Sequence, residues 1–177
     1  MTPPRRPSPR VRPIALAALL AACSDESPAT PPTDTYDAAV TIPLELGTGR
    51  DAFAVVPPFG ARLELVHGPQ GGYHFYGRYR FRALPPDVYV SFRVTPAEGG
   101  APLNNPDDRV RRLDQRGLRR EGDTWVAASA EFVILSTIRG PAEALGRRLR
   151  WEIFLRSAAT GQIATAEREI TLVDEVP

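Results

Sequence analysis

Two histidines and a nearby glutamate are the residues of this chain that could bind a metal ion. His67 and His74 are its only histidines, and they flank the glycine-rich segment GPQGG. Together with Glu64 they would supply three ligands, the minimum for a protein metal site. If the segments on either side of the glycines form a hairpin, however, the two histidines point to opposite faces of the sheet. Metal binding is therefore kept as an alternative function of the protein. In the simpler interpretation, His74 forms a hydrogen bond with a neighbouring carboxylate or carbonyl group.

Arginine and tyrosine side chains form a second candidate site, one for binding a partner. Tyr76, Arg78 and Arg80 share one parity of an alternating segment, and Tyr89 and Arg93 share one parity of the next. On two neighbouring strands these side chains would form one exposed surface. Because tyrosine and arginine are enriched at binding interfaces, the pattern predicts a surface for a protein or an acidic polymer. The alternative is an ordinary solvated sheet face, with arginine stems lying over apolar surface.

The sequence lacks the signatures of common catalytic and phosphate-binding sites. No GxSxG motif is present, and neither histidine lies near a nucleophile turn. The GPQGG segment is followed by no helical pattern and no lysine, so it is interpreted as a turn rather than a phosphate-binding loop. We therefore expect a non-catalytic domain that carries no cofactor.

The charge balance argues against a nucleic-acid partner. The chain has 22 basic residues, all of them arginine, against 21 acidic residues, for a formal net charge of +1. Such a balance provides no extended basic surface for a phosphate backbone.

The candidate side chains are positioned by two alternating segments. Residues 73–81 alternate aromatic and glycine residues with polar or charged ones, and residues 88–95 repeat the pattern with valines on one parity. A period of two is typical of strands with one buried and one solvated face. Pro85 and Pro86 end the first segment, because proline has no ladder donor. The two segments are predicted to be neighbouring antiparallel strands.

The remaining chain continues this pattern. About eight short strands, roughly ten residues apart and separated by proline and glycine turns, predict an all-β fold. We expect an antiparallel β-sandwich of the immunoglobulin-like type, the common solution at this length. Residues 107–117 are open to a helix or a strand, and the β surroundings favour a strand. The apolar run 132–135 predicts a strand that is buried on both faces or that crosses between the sheets.

The N-terminus carries an export pattern. Four arginines precede the apolar run 14–22, which is too short to span a bilayer but typical of a signal-peptide core. The run ends in Leu20, Ala21, Ala22 and Cys23. This sequence resembles the lipobox of bacterial lipoproteins, with Cys23 at the position of the modified cysteine. The segment GPQGG with the aromatic and histidine residues after it is also similar to uncharacterised envelope lipoproteins.

The lipoprotein resemblance implies a lipid anchor on Cys23, cleavage before that residue, and a place in the bacterial cell envelope. By analogy with lipoprotein sorting, Ser24 favours the outer membrane. Residues 1–22 would then be the signal peptide, residues 23–37 a disordered proline-rich tether, and residues 38–177 the sandwich domain. Since Cys23 is the only cysteine, no disulfide would stabilise that domain.

Overall fold

A computed structural model describes residues 42–105 and 110–174 of the chain. The described residues form twelve strands and one 3-10 turn, Pro141–Glu143, and include no α-helix. The strands are β1 Leu44–Thr48, β2 Ala54–Val55, β3 Ala61–Glu64, β4 Val66–His67, β5 Tyr73–Phe81, β6 Val88–Pro96, β7 Arg111–Leu113, β8 Leu118–Glu121, β9 Thr124–Ala127, β10 Glu131–Ile134, β11 Arg148–Ser157 and β12 Ile163–Val173.

The predicted signal peptide 1–22, the tether 23–37 and the lipidation of Cys23 lie outside the described residues. All described residues fall within the unit Tyr36–Pro177. Within the described part of the chain, no helix has the length and apolar character needed to cross a membrane.

The strands form two sheets. Sheet 1 has the order β2-β1-β5-β9-β8, with β4 and β10 also paired to β5. Sheet 2 has the order β3-β12-β11-β6-β7. Strands β1, β5, β9 and β8 thus share one sheet while β6, β11 and β12 share the other, which is the immunoglobulin arrangement. The predicted immunoglobulin-like β-sandwich is confirmed.

The sheets depart from the prediction in two details. Strands β3 and β12 pair in parallel, with Ala61 opposite Ile170, so the sandwich is not wholly antiparallel. The chain leaves sheet 1 after β2 and enters sheet 2 as β3, beside β12. The described residues form twelve strands rather than eight because they include very short strands, such as β2 and β4 with two residues each.

The core is organised around Trp151, which is fully buried in β11. Alternate residues of β11 are buried, as a strand with one face in the core requires. The edge of the Phe75 ring meets the indole with centroids 5.2 Å apart. A Cβ at Gly77 would lie only 2.7 Å from Cζ2 of Trp151. Glycine at this position therefore allows the indole to pack directly against β5.

The glycine-rich segment forms the predicted hairpin turn. His67 lies opposite Tyr73 and Val66 opposite His74, which is the register expected from the sequence. The Gly68 N–H donates to the Gly72 carbonyl over 2.8 Å. Gly71 has a φ of 84°, a conformation that favours glycine. The segment is thus a turn, as interpreted from its composition.

Two further expectations have different outcomes. In residues 107–117 the structure shows a strand, β7, and residues 106–109 lie outside the described part. The expectation of two-sided burial for residues 132–135 is wrong, because Phe132 is 50% exposed. Strand β10 pairs with β5 in sheet 1, and its outward side chains are left at the surface.

Candidate binding groove on sheet 2

The predicted arginine and tyrosine surface is divided between the two faces of the sandwich. Tyr76, Arg78 and Arg80 lie on β5 in sheet 1, whereas Tyr89 and Arg93 lie on β6 in sheet 2. The prediction of one continuous surface is therefore wrong. The prediction assumed that β5 and β6 pair in one sheet. The chain segment that joins them instead crosses from one sheet to the other.

On sheet 1, the predicted residues already interact with other parts of the chain. The Arg80 guanidinium donates to the Glu45 carboxylate over 2.7 and 3.0 Å and lies 4.8 Å from the Phe53 ring centroid. The Tyr76 ring is covered by the Arg50 guanidinium at 4.5 Å. The Tyr76 ring and the Arg80 guanidinium are thus engaged in contacts within the domain, and the Arg80 side chain is 36% exposed.

Arg78 is buried rather than solvated, which corrects its predicted place on a wet face. Its side chain is 1% exposed, and its Nη2 donates to the carbonyls of Ala127 and Ala128 over 3.1 and 2.8 Å. Phe53 packs onto Gly47, the cross-strand neighbour of Arg78, and so helps to cover this part of the sheet. The Nε and Nη1 atoms of Arg78 have no hydrogen-bond partner among the described residues.

The two histidines do not converge. The His67 ring stacks on Tyr73 with centroids 4.9 Å apart. His74 follows Tyr73 on the strand and points to the opposite face, where its ring meets the edge of Phe132 at 4.8 Å. Glu64 faces Arg50 instead, 3.9 Å away. Within residues 42–105 and 110–174, no group of three histidine, cysteine or acidic residues is placed to hold a metal ion.

The surroundings of His74 favour its neutral form. Burial lowers the pKa of its imidazole below the usual value, and the positive charge of Arg50 lowers it further. The imidazole therefore takes part in the aromatic cluster with Tyr76 and Phe132 as an uncharged ring. This corrects the simpler expectation of a carboxylate or carbonyl partner for His74, because its contacts are aromatic.

Sheet 2 carries a groove on its outer face. The groove has a volume of about 320 Å³ and is lined by residues of β6, β11 and β12 and by Val110. Cross-strand pairing aligns Tyr89 with Arg156 and Arg156 with Ile163 in one row. The next row aligns Ser91 with Phe154. Because alternate residues of a strand share a face, both rows point outward from the sandwich.

Guanidinium groups cover the two aromatic rings of the groove. The Tyr89 ring lies between Arg156, at 4.9 Å from its centroid, and Arg112, at 5.8 Å. The Phe154 ring lies under Arg93 at 5.0 Å. These cation–π contacts hold the arginine heads close to the sheet.

Carboxylates neutralise two of these three arginines. Arg112 binds Asp87 in a bidentate pair over 2.9 and 2.8 Å, and the hydrogen bond from Arg112 lowers the pKa of the Asp87 carboxyl. Arg93 lies 3.9 Å from Glu152. Arg156 makes no ion pair with any described residue. Within the described part of the chain, the groove therefore presents one positive charge without a carboxylate partner.

The rim of the groove is apolar. Val110 is 53% exposed and Ile163 is 44% exposed. The described residues that line the groove include no histidine, cysteine or carboxylate. The groove thus offers a ligand the guanidinium of Arg156 together with apolar contacts.

Sequence reasoning found Tyr89 and Arg93 but missed the residues contributed by the other strands. The structure places Phe154 and Arg156 on the outward parity of β11. The alternation of each strand shows which of its side chains are exposed. The pairing of β11 with β6, which brings these side chains beside Tyr89, has no local signal in the sequence.

Comparisons with known proteins give no assignment. No protein-family model and no curated protein matches the chain. Among solved structures, the chain is similar to the CooA pilin subunit from enterotoxigenic Escherichia coli. The similarity has 11% identity and a TM-score of 0.37, and it covers 75% of this chain and 99% of the pilin chain. A similarity of that size supports no conclusion about function.

Proposed function

We propose that this chain is an exported bacterial lipoprotein, held at the cell envelope by lipid on Cys23, whose sandwich domain binds a partner and catalyses no reaction. The groove with Arg156 is the observation that supports binding most directly. It combines exposed aliphatic side chains with a guanidinium that has no carboxylate partner among the described residues, as binding surfaces do.

The anchor is proposed from the sequence of the leader. Leu20, Ala21 and Ala22 precede Cys23 behind a basic and apolar segment, in the order that a lipoprotein signal requires. Each buried methylene of an acyl chain contributes about 0.8 kcal/mol, so two or more chains hold a protein firmly at a membrane. The residue after the cysteine, Ser24, favours the outer membrane.

Lipidation is tested by the mass and labelling of the membrane-extracted protein. In its bacterial host the wild-type chain should begin at Cys23, carry acyl groups and incorporate labelled palmitate. Cys23→Ser should lose essentially all of the label, because no other cysteine can accept an acyl chain through sulfur. Ser24→Ala, which changes the adjacent residue and keeps the cysteine, should retain the full label. An unmodified Cys23 in the wild-type protein would refute the anchor.

A further inference from the structure

The charge and apolar surface of the groove define its ligand more closely. We propose that the groove binds an extended acidic segment of another protein, with one carboxylate on Arg156 and an aliphatic side chain on Ile163. This inference rests on the proposed binding function and names the chemical class of its ligand.

The charge distribution fits a single carboxylate. Arg93 and Arg112 already face Glu152 and Asp87, which leaves Arg156 as the guanidinium of the groove that has no acidic partner among residues 42–105 and 110–174. A carboxylate can form a charge-assisted hydrogen bond with its free N–H groups. A polyanion with closely spaced charges would find no second unpaired guanidinium among the described residues at the groove, because Arg93 and Arg112 are already paired with Glu152 and Asp87. One acidic side chain therefore suits the site better than a dense row of anionic groups.

The apolar part of the groove fits a protein better than a polysaccharide. Sugar rings pack on open aromatic faces, but guanidinium groups already lie over Tyr89 and Phe154. The apolar surface that remains exposed is aliphatic, at Val110 and Ile163. Aliphatic side chains of a peptide would bury this surface, whereas the hydroxyl groups of a sugar would lose hydrogen bonds to water there.

The spacing of the contacts sets the length of the segment. Arg156 and Ile163 are cross-strand neighbours, so their side chains lie about 5 Å apart. Val110 lies on the far side of the groove, about three strand spacings or 14 Å from Ile163. An extended chain covers that distance in about four residues. Because alternate residues of an extended chain share a face, the ligand should place the acidic residue two positions from one aliphatic residue and a second aliphatic residue four positions from the first.

The inference is tested with synthetic probes and the full chain in detergent. One probe is a labelled eight-residue peptide with a glutamate two positions after a leucine and a second leucine four positions after the first, so that all three share one face of the extended chain. The others are the same peptide with glutamine for glutamate, and a labelled galacturonate oligomer. Fluorescence anisotropy gives each dissociation constant for the wild type, Arg156→Gln and Arg150→Gln. Arg150 is the matched control, an exposed arginine on the same face of β11 and outside the groove.

We expect the Arg156→Gln variant alone to lose affinity for the glutamate peptide. Arg156→Gln should weaken binding of the glutamate peptide by about tenfold or more, since a charge-assisted hydrogen bond is removed. Arg150→Gln should stay within about twofold of the wild type, because an exposed charge outside the site contributes little. The glutamine peptide should bind wild type and Arg156→Gln equally weakly.

Two other results would overturn the inference, and they are distinguishable. If only the galacturonate oligomer binds, and Arg156→Gln abolishes that binding, the ligand is a polysaccharide and the proposed binding function stands. If neither probe binds in an Arg156-dependent manner, both the inference and the groove as the binding site are refuted.

Discussion

Replacement of Trp151 by alanine should lower the free energy of unfolding by about 3–5 kcal/mol, the range for removing a large aromatic side chain from a core. Trp151 is fully buried between the sheets and packs against Phe75 and Gly77. Its indole Nε1 has no hydrogen-bond partner among the described residues, so the loss comes from packing and from the cavity left behind. Equilibrium denaturation measures this loss of stability, when the slope of the unfolding free energy against denaturant concentration is the same for wild type and variant.

The other tryptophan provides the matched control. Trp125 lies half-buried on β9, with the Arg120 guanidinium 5.6 Å from its ring. Trp125→Ala should therefore cost less than half as much as Trp151→Ala. Equal losses for the two variants would contradict the placement of Trp151 at the centre of the core.

Replacement of Arg78 by alanine should destabilise the protein by about 2–5 kcal/mol, as expected for truncating a long buried side chain. The side chain fills the space beside the break between β9 and β10 and donates to the carbonyls of Ala127 and Ala128. Alanine would leave both a cavity and two carbonyls without these donors. Thermal and denaturant unfolding both report the change.

The Arg78→Met variant distinguishes the effect of the side-chain volume on stability from the effect of its charge. Methionine keeps most of the volume and removes a buried guanidinium of which Nε and Nη1 have no partner among the described residues. Relief from that desolvation offsets the two lost hydrogen bonds, so Arg78→Met should lie within about 1.5 kcal/mol of the wild type. Arg80→Ala, in a more exposed ion pair with Glu45, should cost about 1 kcal/mol or less. If Arg78→Met is as damaging as Arg78→Ala, the hydrogen bonds of the guanidinium outweigh its desolvation, and this account of Arg78 is wrong.

The sequence predicted local structure well where turn chemistry and alternation act together. The hairpin around GPQGG has the predicted register because glycine supplies the positive φ and alternation sets the inner face. The immunoglobulin-like sandwich also followed from alternating strands and proline and glycine turns. Both features depend on residues that are neighbours in the chain.

The alternation of side chains could not predict which distant strands pair. A strand alternates in the same way whichever sheet it joins, so the period of two could not show that β5 and β6 lie in different sheets. The burial of Arg78 depends on the break between β9 and β10 and on Phe53 over Gly47, both distant in sequence. Half of the predicted binding surface was therefore placed on the wrong face, while Tyr89 and Arg93 belong to the groove.

The central claim is that the anchored protein binds its partner through the groove of sheet 2. Photo-crosslinking in living cells tests it most directly, with a photoreactive phenylalanine analogue placed at Ile163 or at Phe132 of the full chain. Both residues are exposed and apolar, at 44% and 50%, but Ile163 lines the groove and Phe132 lies on sheet 1. The account predicts a defined protein adduct from position 163 that disappears when Arg156→Gln is added, and none from position 132. An adduct from position 132 alone, or one from position 163 that persists with Arg156→Gln, would contradict it.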